Sequence, residues 1–487
     1  MAGIKSLMKD TAIYGVSSIV GRFLNWMLTP LYTRIFLDAE YGVVSYVYSV
    51  TSLVLILLIY GMETGFFRFA NHDRWHDPMQ VYGTCMTSLA ISSTAFVALV
   101  ACFLGPVAGW MECAAHPSYV MVMAACVAID AFVALPYSYL RYCKRPFRFA
   151  TIRLVNIGVN IGFNLFFLVA CPWLMRHAPG TVDWFYDPGY GVGYIFLSAL
   201  LASATNLVMM WPEITACRYR INGTLWREIM RYSLPLLALG LAGIMNQNLP
   251  NIMFPYLYPD RTAAMGQLGI YAANMKLAII MLLFLQAFRF AYEPFIFAQS
   301  KENSAGKNEV YAKTMKYFVI FCLFVYLAVS FFLPLLAHFI GRDYQSGIAV
   351  VPVIMLGELF FGIFFNLSVW YKLTDKTIYG MWFSFLGLAV TVVLNIILVP
   401  RMGYWGCAVA SLASYGSMML ASFFVGRRQN PIHYPVGRIL VYFGLAAAMM
   451  AVGYWLLPYI SVRVILLAIY CGLVLRFEHF PIPRLRR

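Results

Sequence analysis

The sequence predicts an all-α polytopic membrane protein of about fourteen transmembrane helices, and three observations predict it. Hydrophobic residues make up 62% of the 487 positions and charged residues 11%, where an ordinary soluble domain carries about 25% charged residues. The apolar runs are continuous rather than alternating, and many reach the roughly 20 residues that cross a hydrocarbon layer. Backbone polar groups in that layer must be satisfied within the segment, which such runs do as helices. Finally, the density of basic residues alternates from one connection to the next.

Apolar runs and breaker residues place the spans at 11–36, 42–66, 81–109, 119–141, 150–171, 190–212, 230–255, 266–290, 315–339, 348–371, 377–400, 404–426, 437–457 and 459–475. The first run follows Lys5 and Lys9, contains Arg22 and continues to Phe36 without a small-residue cleavage site. It therefore reads as a span and not as a cleaved signal. The longest outer connection is 172–189 and the longest inner one 291–314, so no separate soluble domain is expected. Cysteines such as Cys102, Cys126, Cys322 and Cys471 sit in apolar runs and read as small hydrophobes. Only Cys113 and Cys171 fall near outer connections, so no disulfide framework is implied.

Orientation follows from the positive-inside rule. With the N-terminus in the cytoplasm, 27 of the 35 Lys and Arg fall on the inner side. Six fall outside (Arg34, Arg176, Arg261, Arg342, Arg401 and Arg463), while Arg22 and Lys276 lie within spans. Both termini are thus expected in the cytoplasm, and one miscounted span would scramble the alternation downstream of it. The net charge of +15 is a topology signal, and nothing supports a nucleic-acid partner. The stretch "RYCKRPFR" (141–148) belongs to this signal and is placed to meet anionic lipid headgroups.

The chain also repeats itself. Residues 9–26 align with 231–248, 41–49 with 268–276, and 163–171 with 394–402, at offsets of 222, 227 and 231. The order is preserved and each half starts on the same side, so the repeats are parallel. Parallel repeats imply a pseudo-two-fold axis along the membrane normal. The expected organisation is an N-lobe of spans 1–6 (1–220), a C-lobe of spans 7–12 (221–430), and spans 13 and 14 with a basic cytoplasmic tail (431–487).

Charged side chains inside spans are expensive and mark pathways or sites. At about 1.5 Å per residue, Arg22, Asp130, Lys276 and Glu358 lie near mid-depth, one cation and one anion in each lobe. Read as a cavity, Arg22 and Lys276 would hold an anionic headgroup, with Asp130 and Glu358 as counter-ions or as proton or sodium sites. Read as structure, Arg22 would pair with Asp130, and Lys276 with Glu358, to lock each lobe. Glu63, Arg68, Arg289 and Glu293 lie nearer the cytoplasm, where snorkelling at helix ends competes with substrate contact. Asn246, Gln247, Asn248 and Asn251, beside Pro250, point to a seventh helix broken or bent toward a cavity, or else to hydrogen bonds between helices.

Gly189, Gly191 and Gly193 have the spacing of a nucleotide loop, but no strand precedes them and close helix packing explains them better. Asn222 matches a glycosylation acceptor on the wrong side of the membrane. No metal-ligand spacing, nucleophile elbow or Walker loop occurs. No catalytic residue, metal or cofactor is therefore expected, and the chain reads as a transporter rather than an enzyme.

Fourteen spans, the 6+6 parallel repeat, the cations on spans 1 and 8, and "GYWGCAVAS" (403–411) resemble the multidrug/oligosaccharidyl-lipid/polysaccharide exporter superfamily. Within it the chain is similar to the polysaccharide-exporter (Wzx-type) flippases. "YGMETGFFRFA" (60–70) and "NLSVWYKLTDKTIYG" (366–380) resemble the branch seen in Bacteroidetes. The resemblance implies a flippase in the bacterial inner membrane that moves an undecaprenyl-diphosphate-linked glycan to the periplasmic leaflet by alternating access. The glycan would be an O-antigen, capsule or exopolysaccharide unit. Arg22 and Lys276 would hold the pyrophosphate, whose charge suits paired cations, and Asp130 and Glu358 would serve coupling to H+ or Na+. Membrane lipids and a polymerase or glycosyltransferase complex are the partners it implies.

The rivals are a lipid II flippase, with the same span count and a cationic cavity, and a multidrug antiporter. Against the antiporter stand the two extra spans and the mid-depth cations. A membrane glycan polymerase or ligase would need a large catalytic outer loop, whereas the longest one offers only Arg176, His177, Asp183 and Asp187.

Overall fold

In the computed structural model of the chain, residues 15, 19–72, 75, 77–301, 307–374, 376–456 and 459–478 are described, and every regular element among them is helical. In chain order the helices are α1 (residues 19–35, with a turn at 27–28), α2 (Asp38–Ala70), α3 (Pro78–Cys102), α4 (Pro117–Tyr142) and α5 (Pro146–His177). Then follow α6 (Gly193–Met209), α7 (Gly223–Leu257), α8 (Arg261–Lys301), α9 (Lys307–Phe331) and α10 (Arg342–Leu373). The last four are α11 (Ile378–Met402), α12 (Tyr404–Gln429), α13 (Val436–Tyr454) and α14 (Ile460–Phe477). Twelve of them, all but α1 and α6, are long and apolar enough to cross a membrane. With α6 and α1, they match the expected spans one for one. Residues 11–14 and 16–18 of the first expected span lie outside the described residues.

Local chemistry sets the helix starts. Pro78, Pro117 and Pro146 open α3, α4 and α5, where the missing N–H is no loss and the fixed φ is helical. Asp77 accepts a hydrogen bond from the Met79 amide at 2.9 Å. Asn222, the apparent glycosylation acceptor, caps α7 by accepting from the amides of Thr224 and Leu225 at 3.1 and 3.2 Å; such a cap contributes about 1 kcal/mol. Gly403 takes φ 57 between α11 and α12, a turn that L side chains rarely adopt. Gly193 opens α6 against the rings of Tyr119 and Tyr190, so this glycine of the three serves packing. Of the readings open for α7, a break does not occur: Pro235, Pro250 and Pro255 all lie inside one continuous helix, tolerated where neighbours re-satisfy the freed carbonyls.

Contacts divide the chain into two compact units, 1–272 and 273–487. In the first, the basic ends of α2 to α7 enclose an aromatic core around Phe66 and Tyr82, both fully buried. Phe66 packs on Tyr82 and Tyr142 at ring-centre distances of 5.7 and 5.5 Å, and Tyr82 stacks on Tyr139 at 4.5 Å. The second unit has its own core at the basic ends, built from Tyr292, Tyr311, Phe364, Trp370, Phe383 and Tyr415. Gly426 lies directly against the Trp370 indole, small beside large, as packing-driven helix association in lipid requires.

Within the first unit, α2 and α8 touch through backbone. A Cβ on Gly42 would collide with the Met265 carbonyl, and one on Gly269 with the Asp38 carbonyl. The contact is reciprocal under the repeat, because 38 and 42 become 265 and 269 at the offset of 227. A self-complementary contact of this kind is what a two-fold axis produces. Gly269→Leu is therefore expected to force α2 and α8 apart at this end. Overpacking destabilises by about 1–3 kcal/mol, read as a lowered Tm of the full chain in detergent. An unchanged Tm would deny the contact.

In the second unit α13 and α14 are fastened to α9 at three levels. The Lys316 ammonium pairs with the Glu478 carboxylate, both buried, and the Tyr442 hydroxyl donates to the same carboxylate at 3.0 Å. Midway, the Tyr470 hydroxyl donates to the Ile320 carbonyl at 2.9 Å. At the far end the buried Arg463 guanidinium donates to the Phe331 carbonyl at 3.0 Å and the Gly453 carbonyl at 3.3 Å. Helix carbonyls near a C-terminus lack intrahelical donors, which explains the attraction. Elsewhere these two helices expose apolar surface, with Leu440 and Val441 63% and 64% exposed, as lipid contact requires.

Candidate functional site

Each unit carries charged and polar side chains midway along its helices and others at the basic helix ends. In the first unit, Asp130 lies midway along α4. Its carboxylate accepts from the Ser203 hydroxyl of α6 at 2.6 Å and, weakly, from the Cys126 thiol at 3.9 Å. Both partners are uncharged, so among the described residues hydrogen bonds from α6 and α4, and not an ion pair with Arg22, hold it. Arg22 sits on the exposed side of α1.

Beside Arg22, α1 and α5 share a polar ladder. The Tyr32 hydroxyl donates to Asn164 Oδ1 at 2.9 Å, Asn164 Nδ2 donates to the Asn160 carbonyl at 2.8 Å and to Asn160 Oδ1 at 3.2 Å, and Asn160 Nδ2 donates to Asn25 Oδ1 at 3.2 Å. Asn156 Nδ2 donates to the Ala202 carbonyl of α6 at 2.8 Å. Sequence reading missed this ladder and assigned Arg153 to an inner connection. The signal was present: 153, 156, 160 and 164 carry polar residues at helical period in an otherwise apolar run.

In the second unit, Lys276 lies midway along α8 and Glu358 midway along α10. The Glu358 Oε2 atom is buried without a hydrogen-bond partner among the described residues. An ionised carboxylate in that state would be strongly disfavoured, so this oxygen needs a proton or a cation. Of the α7 cluster, Asn251 donates to Ser49 Oγ of α2 at 3.1 Å and Asn248 to the Ile244 carbonyl at 3.1 Å. Asn246 is buried and Gln247 exposed. Asn251 thus joins helices within the first unit.

At the basic ends, Glu63 is engaged by Arg141 at 2.8 Å and by the Ser138 hydroxyl at 3.0 Å. Both ionic partners are about a third exposed, where such pairs contribute only about 0–1 kcal/mol. The Arg68 guanidinium lies over the Tyr232 ring, 4.0 Å from its centre. In the second unit, Arg289 and Lys372 both lie over the Phe365 ring, 4.1 and 4.5 Å from its centre. Cation–π contacts thus occur at the basic ends of the helices in each unit. Glu293 belongs to α8, but its side chain lies outside the described residues.

Solved structures with this fold are membrane transporters. The chain superposes on "Lipid II flippase MurJ, inward closed conformation" with TM-score 0.74 and 14% identity, over 96% of this chain and 99% of that one. It superposes on an inward-facing multidrug resistance MATE family transporter of the MOP superfamily with TM-score 0.67 and 13% identity, over 87% and 96%. For an outward-facing transporter of that description the values are 0.59 and 14%, over 90% and 97%. No curated protein matches the sequence. The family described as "Polysaccharide biosynthesis protein" matches residues 7–298, more than half of the chain, and this multi-pass membrane protein belongs to that family.

Proposed function

We propose that the protein flips an undecaprenyl-diphosphate-linked glycan from the cytoplasmic to the periplasmic leaflet of a bacterial inner membrane. The glycan is an O-antigen, capsule or exopolysaccharide unit, and both chain termini are cytoplasmic. One observation carries the reading above the rest: each unit holds a cation on a helix, Arg22 on α1 in one and Lys276 midway along α8 in the other, and the apolar runs around them put both near the middle of the membrane. A cation there is unfavourable unless it serves a charged ligand or pathway. A lipid-linked diphosphate is such a ligand.

Arg22 and Lys276 take the diphosphate as it crosses. Glu358, with its unsatisfied oxygen, and Asp130 carry the H+ or Na+ that couples the alternating-access cycle. Glu63, Arg68, Arg289 and Glu293 receive the headgroup at the cytoplasmic rim, and Asn251 of the α7 amides supports the contact with α2 farther along the helices. A polymerase or glycosyltransferase complex supplies and consumes the cargo. A strain lacking the protein is expected to accumulate its lipid-linked glycan in the inner leaflet. Normal export in that strain would refute the reading. The likeness to the lipid II flippase fold favours lipid II as a second cargo, which would show as accumulated peptidoglycan precursor instead.

A further inference from the structure

Helices α1 and α5 run side by side in the same direction. Gly21 lies against the Ile157 side chain, Asn25 bonds Asn160, and Tyr32 bonds Asn164. Both sets of numbers rise together, which fixes the register. Arg22 is therefore level with residues 157 and 158, and Arg153 lies about one helical turn nearer the cytoplasm, at about 1.5 Å per residue. Arg22 and Asn25 share a face of α1, as Arg153, Asn156 and Asn160 share a face of α5.

The ladder divides into a buried part and an open part. Asn164 is fully buried and its back-bond to residue 160 recurs in the second half. There Asn395, at the offset of 231, is also fully buried and donates to the Thr391 carbonyl at 2.7 Å. Asn164 is thus a feature of the repeat. The position equivalent to Arg153 is Ser384, which turns its hydroxyl back to the Gly380 carbonyl at 2.9 Å. The cation therefore belongs to the first unit alone.

On the open part, Asn25 is exposed and Arg153 and Asn160 are half-buried. Asn25 accepts from Asn160, so its own two amide hydrogens remain to be donated. Among the described residues no hydrogen bond or ion pair engages the Arg153 guanidinium, which offers five donors. A lipid-facing surface does not tolerate such groups at mid-depth, so this strip faces a polar space.

We infer that Arg153, Asn25 and Asn160 form a diphosphosugar subsite beside Arg22. Arg153 contacts the diphosphate first, being deeper toward the cytoplasm, and passes it up to Arg22. The amide pair above them hydrogen-bonds the hydroxyls of the sugar attached to the diphosphate. Guanidinium groups match phosphate oxygens in bidentate geometry, and asparagine amides present donor and acceptor together, as a sugar hydroxyl does. The inference rests on the proposal that the cargo is a diphosphate-linked glycan.

The test uses the full chain in nanodiscs and two probes: undecaprenyl diphosphate, and the lipid-linked glycan extracted from a strain lacking the protein. Arg153→Gln is expected to weaken binding of both probes about tenfold or more, as loss of a charged hydrogen bond does, and Arg153→Lys to restore part of it. Asn25→Ala and Asn160→Ala are expected to weaken binding of the glycan-bearing lipid alone. Equal size-exclusion profiles and Tm values exclude misfolding, and Asn164→Ala, which breaks the buried ladder, reports the structural effect separately. If Arg22→Gln and Lys276→Gln weaken binding while the Arg153, Asn25 and Asn160 variants bind both probes like the wild type, the subsite is refuted and the cargo reading stands. If the wild type binds neither probe, both fail.

Discussion

Replacing Arg22 and Lys276 together by glutamine is expected to abolish export of the lipid-linked glycan while leaving the protein at normal levels in the membrane. Both residues are mid-depth cations of opposite halves, on α1 and α8. A hydrogen bond to a charged group contributes about 1.5–3 kcal/mol, or about tenfold to a hundredfold in affinity for each cation lost. Together the loss should reach at least about a hundredfold, although two residues on one ligand need not add. Glutamine keeps the length and a donor but removes the charge. Arg22→Lys and Lys276→Arg keep the charge and should retain most of the export. Full export by the doubly neutral variant would remove the diphosphate role from both residues.

Glu478→Ala is expected to detach α13 and α14 from α9. The Lys316 ammonium would be left inside the protein without its carboxylate, and the Tyr442 hydroxyl without its acceptor. Removing one partner of a buried ion pair destabilises by about 3–5 kcal/mol, because the remaining charge stays desolvated. Replacing both, as in Lys316→Met with Glu478→Leu, should recover most of that loss. The measurement is the Tm of the full chain in detergent, together with protease sensitivity of the segment joining α12 to α13. An alanine variant as stable as the wild type would mean that the Tyr470 and Arg463 contacts suffice to hold the pair.

The fold was largely legible in the sequence, and the side-chain partners were not. Hydropathy located the fourteen helices, twelve of them long and apolar enough to cross a membrane, because transfer into lipid depends chiefly on local apolar composition. The offset of 227 read between the two halves also relates the backbone approaches at Gly42 and Gly269. Helix ends shifted where composition is ambiguous: α5 runs on to His177 through a wider turn at Phe166–Ala170. For α7 the sequence left a broken or bent helix and interhelical hydrogen bonds both open, because the cost of a proline depends on neighbours that no sequence displays; Asn251 makes such a bond to Ser49. Pairing depends on the rotation of each helix about its axis, which a mid-depth position does not reveal. Asp130 accordingly turns to Ser203 and not to Arg22, and Glu63 is held by Arg141 from α4. Arg463 looked like an ordinary outer charge, yet it is buried as a cap on α9.

The central claim is that this protein carries a diphosphate-linked glycan across the membrane. Spheroplasts of a strain lacking it, with and without the restored gene, can be treated with a membrane-impermeant glycan-oxidising reagent. The account predicts that the lipid-linked glycan becomes oxidised when the wild-type protein is present, and stays protected with the Arg22→Gln, Lys276→Gln variant or with no protein. Equal oxidation in all three would contradict it.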